Sequence, residues 1–124
     1  MKYQALSILK PAVDNILNGS KKLEIRSWTP PYMPLNNVVL VQNEKYLVNQ
    51  DDEDDGFAMA IVDFTSIFPW TEADYLRQKN TTTMWKEWKL GYFCWTIENV
   101  RVIKKPMPCK AMKGIYTLEF DGVL

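Results

Sequence analysis

The sequence predicts an α+β fold, a small mixed β-barrel with short flanking helices. Three observations carry this. Apolar runs with strand period and strand length recur along the chain, at 3–9, 22–28, 37–41, 57–64, 92–103 and 115–120. Helical spacing is confined to two or three short stretches. The strands do not alternate regularly with helices and no segment repeats, which argues against a parallel doubly wound sheet. At 124 residues, one domain over 1–124 is expected.

Residues 3–9 (YQALSIL) read as a first strand. Pro11 suits a helix start, because its missing N–H has no intrahelical partner there. Ala12, Val13, Ile16 and Leu17 then recur at helical spacing, and Asn18-Gly19 offers the left-handed stop. From Lys22 to Trp28 the chain alternates: Leu23 and Ile25 face one way, Lys22, Glu24, Arg26 and Trp28 the other. Thr29-Pro30-Pro31-Tyr32 ends that strand. Asn37–Val41 is a near-continuous apolar strand. The acidic run 51–55 is expected in a solvated loop closed by Gly56, before a strand at 57–64.

Past Pro69-Trp70, Thr71 with Asp74 three residues on forms a capping-box pattern, so a short helix is predicted at about 72–78. Asn80–Thr83 is read as a break. Met84, Trp85 and Trp88 share a helical face stopped by Gly91, and packing is their expected role. A long strand at 92–103 follows, holding Asn99, for which a structural hydrogen-bond partner is expected. Pro106 and Pro108 read as part of a loop running to Gly114, before the last strand at 115–120.

Composition narrows the chemistry. There is no histidine, so catalytic triads, Cys-His dyads and His-ligated metal sites are excluded. No metal or cofactor is expected. The two cysteines, Cys94 and Cys109, lack metal or redox spacing and read as ordinary reduced residues. No apolar run is long enough for a membrane span, and the first residues lack a signal-peptide pattern, so a cytoplasmic protein away from membranes is expected. Net charge is 0 but unevenly spread: residues 1–75 carry a formal −5 and residues 76–124 a formal +5. Such separation either builds a basic face for an anionic partner or vanishes when the halves intermix. Lys104, Lys105, Lys110 and Lys113 could neutralise phosphates or form a solvated face.

The densest chemistry is Gly19-x-Lys21-x-x-Glu24-x-Arg26. The glycine permits a sharp reversal that presents Lys21 at the strand mouth. Glu24 and Arg26 share one strand face about 6–7 Å apart, close enough to pair or to bracket a ligand. Arginine offers a fork for phosphate or carbonyl oxygens; glutamate accepts from base or sugar donors; lysine binds phosphate or, desolvated, acts as a base. Periodicity alone also allows a solvated strand face with a weak ion pair. Trp28, on the same face, either stacks a base or packs. Trp95 leans toward packing. Tyr32, after the two prolines, either flanks a cleft or anchors a loop.

With Leu6-Ser7-Ile8 and Pro11 before it and Ser27-Trp28 after, this motif resembles the ASCH domain, of the PUA-like superfamily. Trp95-x-Ile97-Glu98-Asn99-Val100-Arg101 and Lys113-Gly114 resemble the family's later strand and closing loop. The resemblance implies a PUA-like pseudo-barrel that binds RNA or a modified nucleoside in a cleft lined by Lys21, Glu24 and Arg26; Trp28, Ser7 and Tyr32 are the further candidate ligand contacts. It also implies an alternative, a metal-independent hydrolase of N4-acylated cytidines or of RNA in which the motif lysine, Lys21, is catalytic; Glu24, holding Lys21, is the second candidate catalytic residue. Relatives of the amidohydrolase type carry a threonine where this chain has Glu24. A third reading is a structural or interaction domain whose motif only holds the helix-to-strand turn.

Overall fold

Hydrophobic patterning explains the centre of the sheet. The computed structural model describes all residues, Met1–Leu124. Strand β3 (Leu35–Asn43) lies inside a six-stranded sheet. Its alternate side chains go to two different cores: Val38 and Leu40 join Leu6, Ile16, Phe64 and Trp95 on one face, while Val39 and Val41 join Ala58, Ile103 and Phe120 on the other. A strand buried on both faces reads as a continuous apolar run, which is why 37–41 shows no alternation.

The other strands are β1 (Lys2–Leu9), β2 (Leu23–Arg26), β4 (Glu53–Pro69), β5 (Phe93–Met112) and β6 (Ile115–Glu119). Their order is β2-β5-β4-β3-β1-β6. The β1–β3 pair is parallel and the other neighbours are antiparallel, so the sheet is mixed as expected. The helices are short: α1 (Ala12–Leu17), α2 (Glu72–Arg77) and α3 (Asn80–Thr83). None is long and apolar enough to cross a membrane.

The expected barrel does not close. β2 and β6 remain free edges. The sheet curls until β2 faces β1, but an arginine side chain spans the seam: Arg26 Nη2 donates to the Ser7 carbonyl at 2.8 Å. Laddered strands lie about 4.8 Å apart, too close to admit a guanidinium between them. The charged face of β2 therefore sits where a barrel would have zipped.

Three further expectations change. The proline segment is not a loop: β5 runs through it, with Met107, Pro108 and Cys109 opposite Ala58, Phe57 and Gly56. β2 pairs with β5 only as far as Thr96, so the rest of β5 has one open edge. Pro106 and Pro108, two residues apart, can both turn their missing N–H toward it. Second, Met84–Trp88 is not helical, and the short helix falls instead at 80–83. Met84 packs on the main core and Trp88 on a separate cluster with Ile25, Trp70 and Cys94, while Trp85 is exposed. Reaching both clusters requires the chain to uncoil, through left-handed φ values of 54° and 59° at Met84 and Trp85. Third, the acidic run is only partly loop. Glu53–Asp55 open β4, and the Asp52 and Asp54 carboxylates accept backbone N–H groups from Val48, Asn49, Glu44 and Lys45, folding the β3–β4 connection. The Thr71 cap is as predicted: its Oγ1 accepts from Asp74 N at 3.1 Å.

Candidate functional site

The position of Lys21 follows from how α1 is held at both ends. Pro11 provides no side-chain cap. Gln42, buried on β3, substitutes from a distance: its Oε1 accepts from Val13 N at 3.0 Å and its Nε2 donates to Asp14 Oδ2 at 3.2 Å. At the other end Gly19 takes φ +84°, and Lys21 N returns to the Asn15 carbonyl at 3.0 Å. This tight return drops Lys21 between β2 and α3.

There the motif forms a buried relay. Lys21 is 2% exposed and Glu24 5%. Lys21 Nζ donates to the Thr82 carbonyl at 2.7 Å and lies 3.4 Å from Glu24 Oε1. The other carboxylate oxygen, Oε2, accepts from Arg26 Nη2 at 3.0 Å. Arg26 reaches on to Ser7, and Ile25 N donates to Glu24 Oε1 at 3.3 Å. A solvated strand face is thereby excluded for Lys21 and Glu24. The reason is that the opposite face of β2 is covered too: Ile25 and Leu23 pack against Trp70, Tyr75 and Trp88.

Burial sets the electrostatics. It pushes the Lys21 ammonium below the ordinary lysine range, and Glu24 partly restores it. Burial pushes the Glu24 carboxyl up, but Arg26 and Lys21 together outweigh it and hold the group below its usual range, ionised. One carboxylate thus stands between two cations.

The relay lies along a cavity of about 550 Å³. Ser7 and Trp28 line it as well. The Ser7 hydroxyl is engaged, 2.6 Å from the Tyr116 hydroxyl and accepting from Met112 N at 3.1 Å. Trp28 stands edge-on to the fully buried Trp95, with ring centroids 5.0 Å apart. Tyr32 does not line the cavity: it is exposed, and its hydroxyl accepts from Gln4 Nε2. Asn99 lies outside too, donating to Asp63 Oδ2 at 2.8 Å in the structural role expected of it. Among the four late lysines, Lys113 reaches the cavity and Lys110 pairs with Asp55.

Much of the cavity comes from residues that the sequence does not mark as belonging to a site. α3 and the segment after it supply Thr83, Met84 and Lys86; the β3–β4 connection supplies Lys45, Tyr46 and Leu47; Tyr92 closes one side. α3 is tied to the motif by the Thr81 and Thr82 hydroxyls, which both donate to the Ser20 carbonyl. No local pattern marks these residues, since they join the site only through folding. Five cationic side chains and one carboxylate line the cavity, a formal +4 on a chain of net charge 0.

The model of the ASCH domain family matches residues 6–107, a span that holds the Lys21-Glu24-Arg26 relay entire. No curated protein matches the chain.

Proposed function

The chain belongs to the ASCH domain family, a PUA-like family whose members often bind RNA, and from that premise we propose that the cleft binds RNA or a modified nucleoside over Lys21, Glu24, Arg26 and Trp28. The observation that carries this reading is the buried relay at the wall of a cation-rich cavity of about 550 Å³. Its volume lies within the usual range of small-molecule sites. Arg26 keeps N–H groups beyond those given to Ser7 and Glu24, free to meet a carbonyl or phosphate oxygen. Trp28 and Tyr92 supply ring surface for a base.

The test is a tryptophan-fluorescence titration with single-stranded RNA and with N4-acetylcytidine. Arg26→Ala should weaken binding about tenfold or more, the loss of roughly 1.4 kcal/mol. Equal binding by native protein and Arg26→Ala counts against the site. No signal from either ligand would leave the motif a device that holds the turn.

One observation favours a second reading, metal-independent hydrolysis. Burial eases deprotonation of Lys21, which a neutral amine serving as general base requires. Lys21 would then take a proton from water as its oxygen attacks the amide carbon or the phosphorus and return it to the leaving nitrogen or oxygen as the C–N or P–O bond breaks, while Arg26 orients the substrate oxygen. Ligand recovered intact after long incubation, with chelator present, excludes this route.

A further inference from the structure

Three lysines at the cavity mouth have no carboxylate partner. Lys45 comes from the β3–β4 connection, Lys86 from the segment after α3, and Lys113 from the turn between β5 and β6. The salt bridges of the molecule involve Lys10, Lys21, Arg26, Arg77, Arg101 and Lys110, and none of these three. Yet carboxylates are close in sequence. Asp52 and Asp54 are spent on backbone N–H groups of the very loop that presents Lys45. Lys113 Nζ donates to the Val48 carbonyl at 2.7 Å and so ties the same loop to the mouth. Lys86 lies over the Tyr92 ring, 4.6 Å from its centroid, and Lys45 adjoins the exposed Tyr46, which also lines the cavity. The mouth therefore presents three cations that form no salt bridge, interleaved with aromatic rings. Inside, Glu24, the cavity's only carboxylate, is saturated by Lys21, Arg26 and Ile25 N.

A free nucleoside carries no charge for the three outer lysines to meet. A strand threading the mouth does, since its phosphates flank every base. We propose that the ligand is a single-stranded oligonucleotide, one base entering the cavity while the phosphates on either side rest on Lys45, Lys86 and Lys113. Alternating cations and ring faces are the arrangement by which single strands are held. The proposal rests on the nucleic-acid reading above and selects the strand over the isolated nucleoside.

The experiment measures the affinity of short fluorescein-labelled oligocytidylate, oligouridylate and oligoadenylate across a salt series, beside the matching free nucleosides followed by tryptophan fluorescence. Three phosphate contacts on a single strand give a slope of log K against log salt of about −2. Lys45→Gln, Lys86→Gln and Lys113→Gln should each flatten that slope by about 0.7. All three lysines are exposed, and circular dichroism checks that each variant is folded. A steep slope lost in the triple variant supports the proposal. Nucleosides binding as tightly as oligonucleotides overturn it and leave the nucleic-acid reading standing. A slope that the triple variant does not change also overturns it, because the phosphates then lie elsewhere. No binding by any probe removes both readings together.

Discussion

Glu24→Ala removes the one anion that faces the Lys21 ammonium. Lys21 is 2% exposed and would keep only the Thr82 carbonyl, at 2.7 Å. Removing one partner of a buried ion pair leaves an uncompensated charge and costs about 3–5 kcal/mol. With a urea dependence of about 2 kcal/mol per molar, the unfolding midpoint should fall by about 2 M. Replacing both partners, Lys21→Met with Glu24→Leu, should recover most of that loss, since buried pairs exchange for apolar groups at little cost. The pH dependence gives an independent check. Glu24 raises the Lys21 pKa, so its removal moves the folded-state value further below the unfolded one. The variant's deficit is full below the folded pKa and fades as pH rises toward the unfolded lysine value of about 10.4. The urea-midpoint gap between native and variant should therefore narrow in alkaline buffer. A gap of less than about 1 kcal/mol, unchanged by pH, would refute the reasoning: the lysine would not be sealed between α3 and β2.

Asp63, on β4, accepts from Asn37 N, Asn99 Nδ2 and Arg101 Nη2 and so joins two left-handed residues, Asn37 on β3 and Asn99 on β5, the strands on either side of its own. Those bonds hold its carboxyl below the usual range, the Asn37 N–H foremost. The stability it contributes is present above the ordinary aspartate pKa and lost as pH falls through the lowered value. Asp63→Ala should cost about 2 kcal/mol at neutral pH and less in acid, read from thermal unfolding at both. At Gly56 an added Cβ would lie 2.9 Å from both the Gln42 carbonyl oxygen and Val41 Cγ1. Gly56→Ala should lower stability by about 1–3 kcal/mol in the same assay, and an unchanged melting temperature would show that β3 yields freely. Cys94 is fully buried and its thiol is pushed up to about 11, whereas Cys109 is half-buried. A thiol-specific disulfide reagent should label Cys109 in native protein and reach Cys94 only in denaturant; prompt reaction of both would contradict the packing around Trp70.

Legibility in the sequence varied by element for physical reasons. β1, α1 and the capped α2 were readable because their signals are local: a strand-length apolar run, a stop at Asn18-Gly19, a hydroxyl three residues before an amide. Met84–Trp88 misled because apolar spacing reports that residues are buried without saying that they enter different cores. Pro106 and Pro108 misled because a proline breaks a ladder only when its N–H is wanted, and β5 has an open edge there. Tyr32 follows the motif strand closely in sequence, but in space its hydroxyl meets Gln4, away from the cavity.

By itself the sequence determined the residue set of the relay and its spacing, since a reversal at Gly19 followed by strand period two puts Lys21 at a turn and Glu24 and Arg26 on one face. It also removed histidine chemistry outright. The tertiary structure alone decided that this face turns inward, because the packing of Trp70, Tyr75 and Trp88 over Leu23 and Ile25 lies far along the chain. It alone held the seam open with a guanidinium and brought Lys45, Lys86 and Lys113 to one mouth. Charge spacing along a strand is a local property, whereas which side of that strand meets water depends on what the rest of the chain packs against the other.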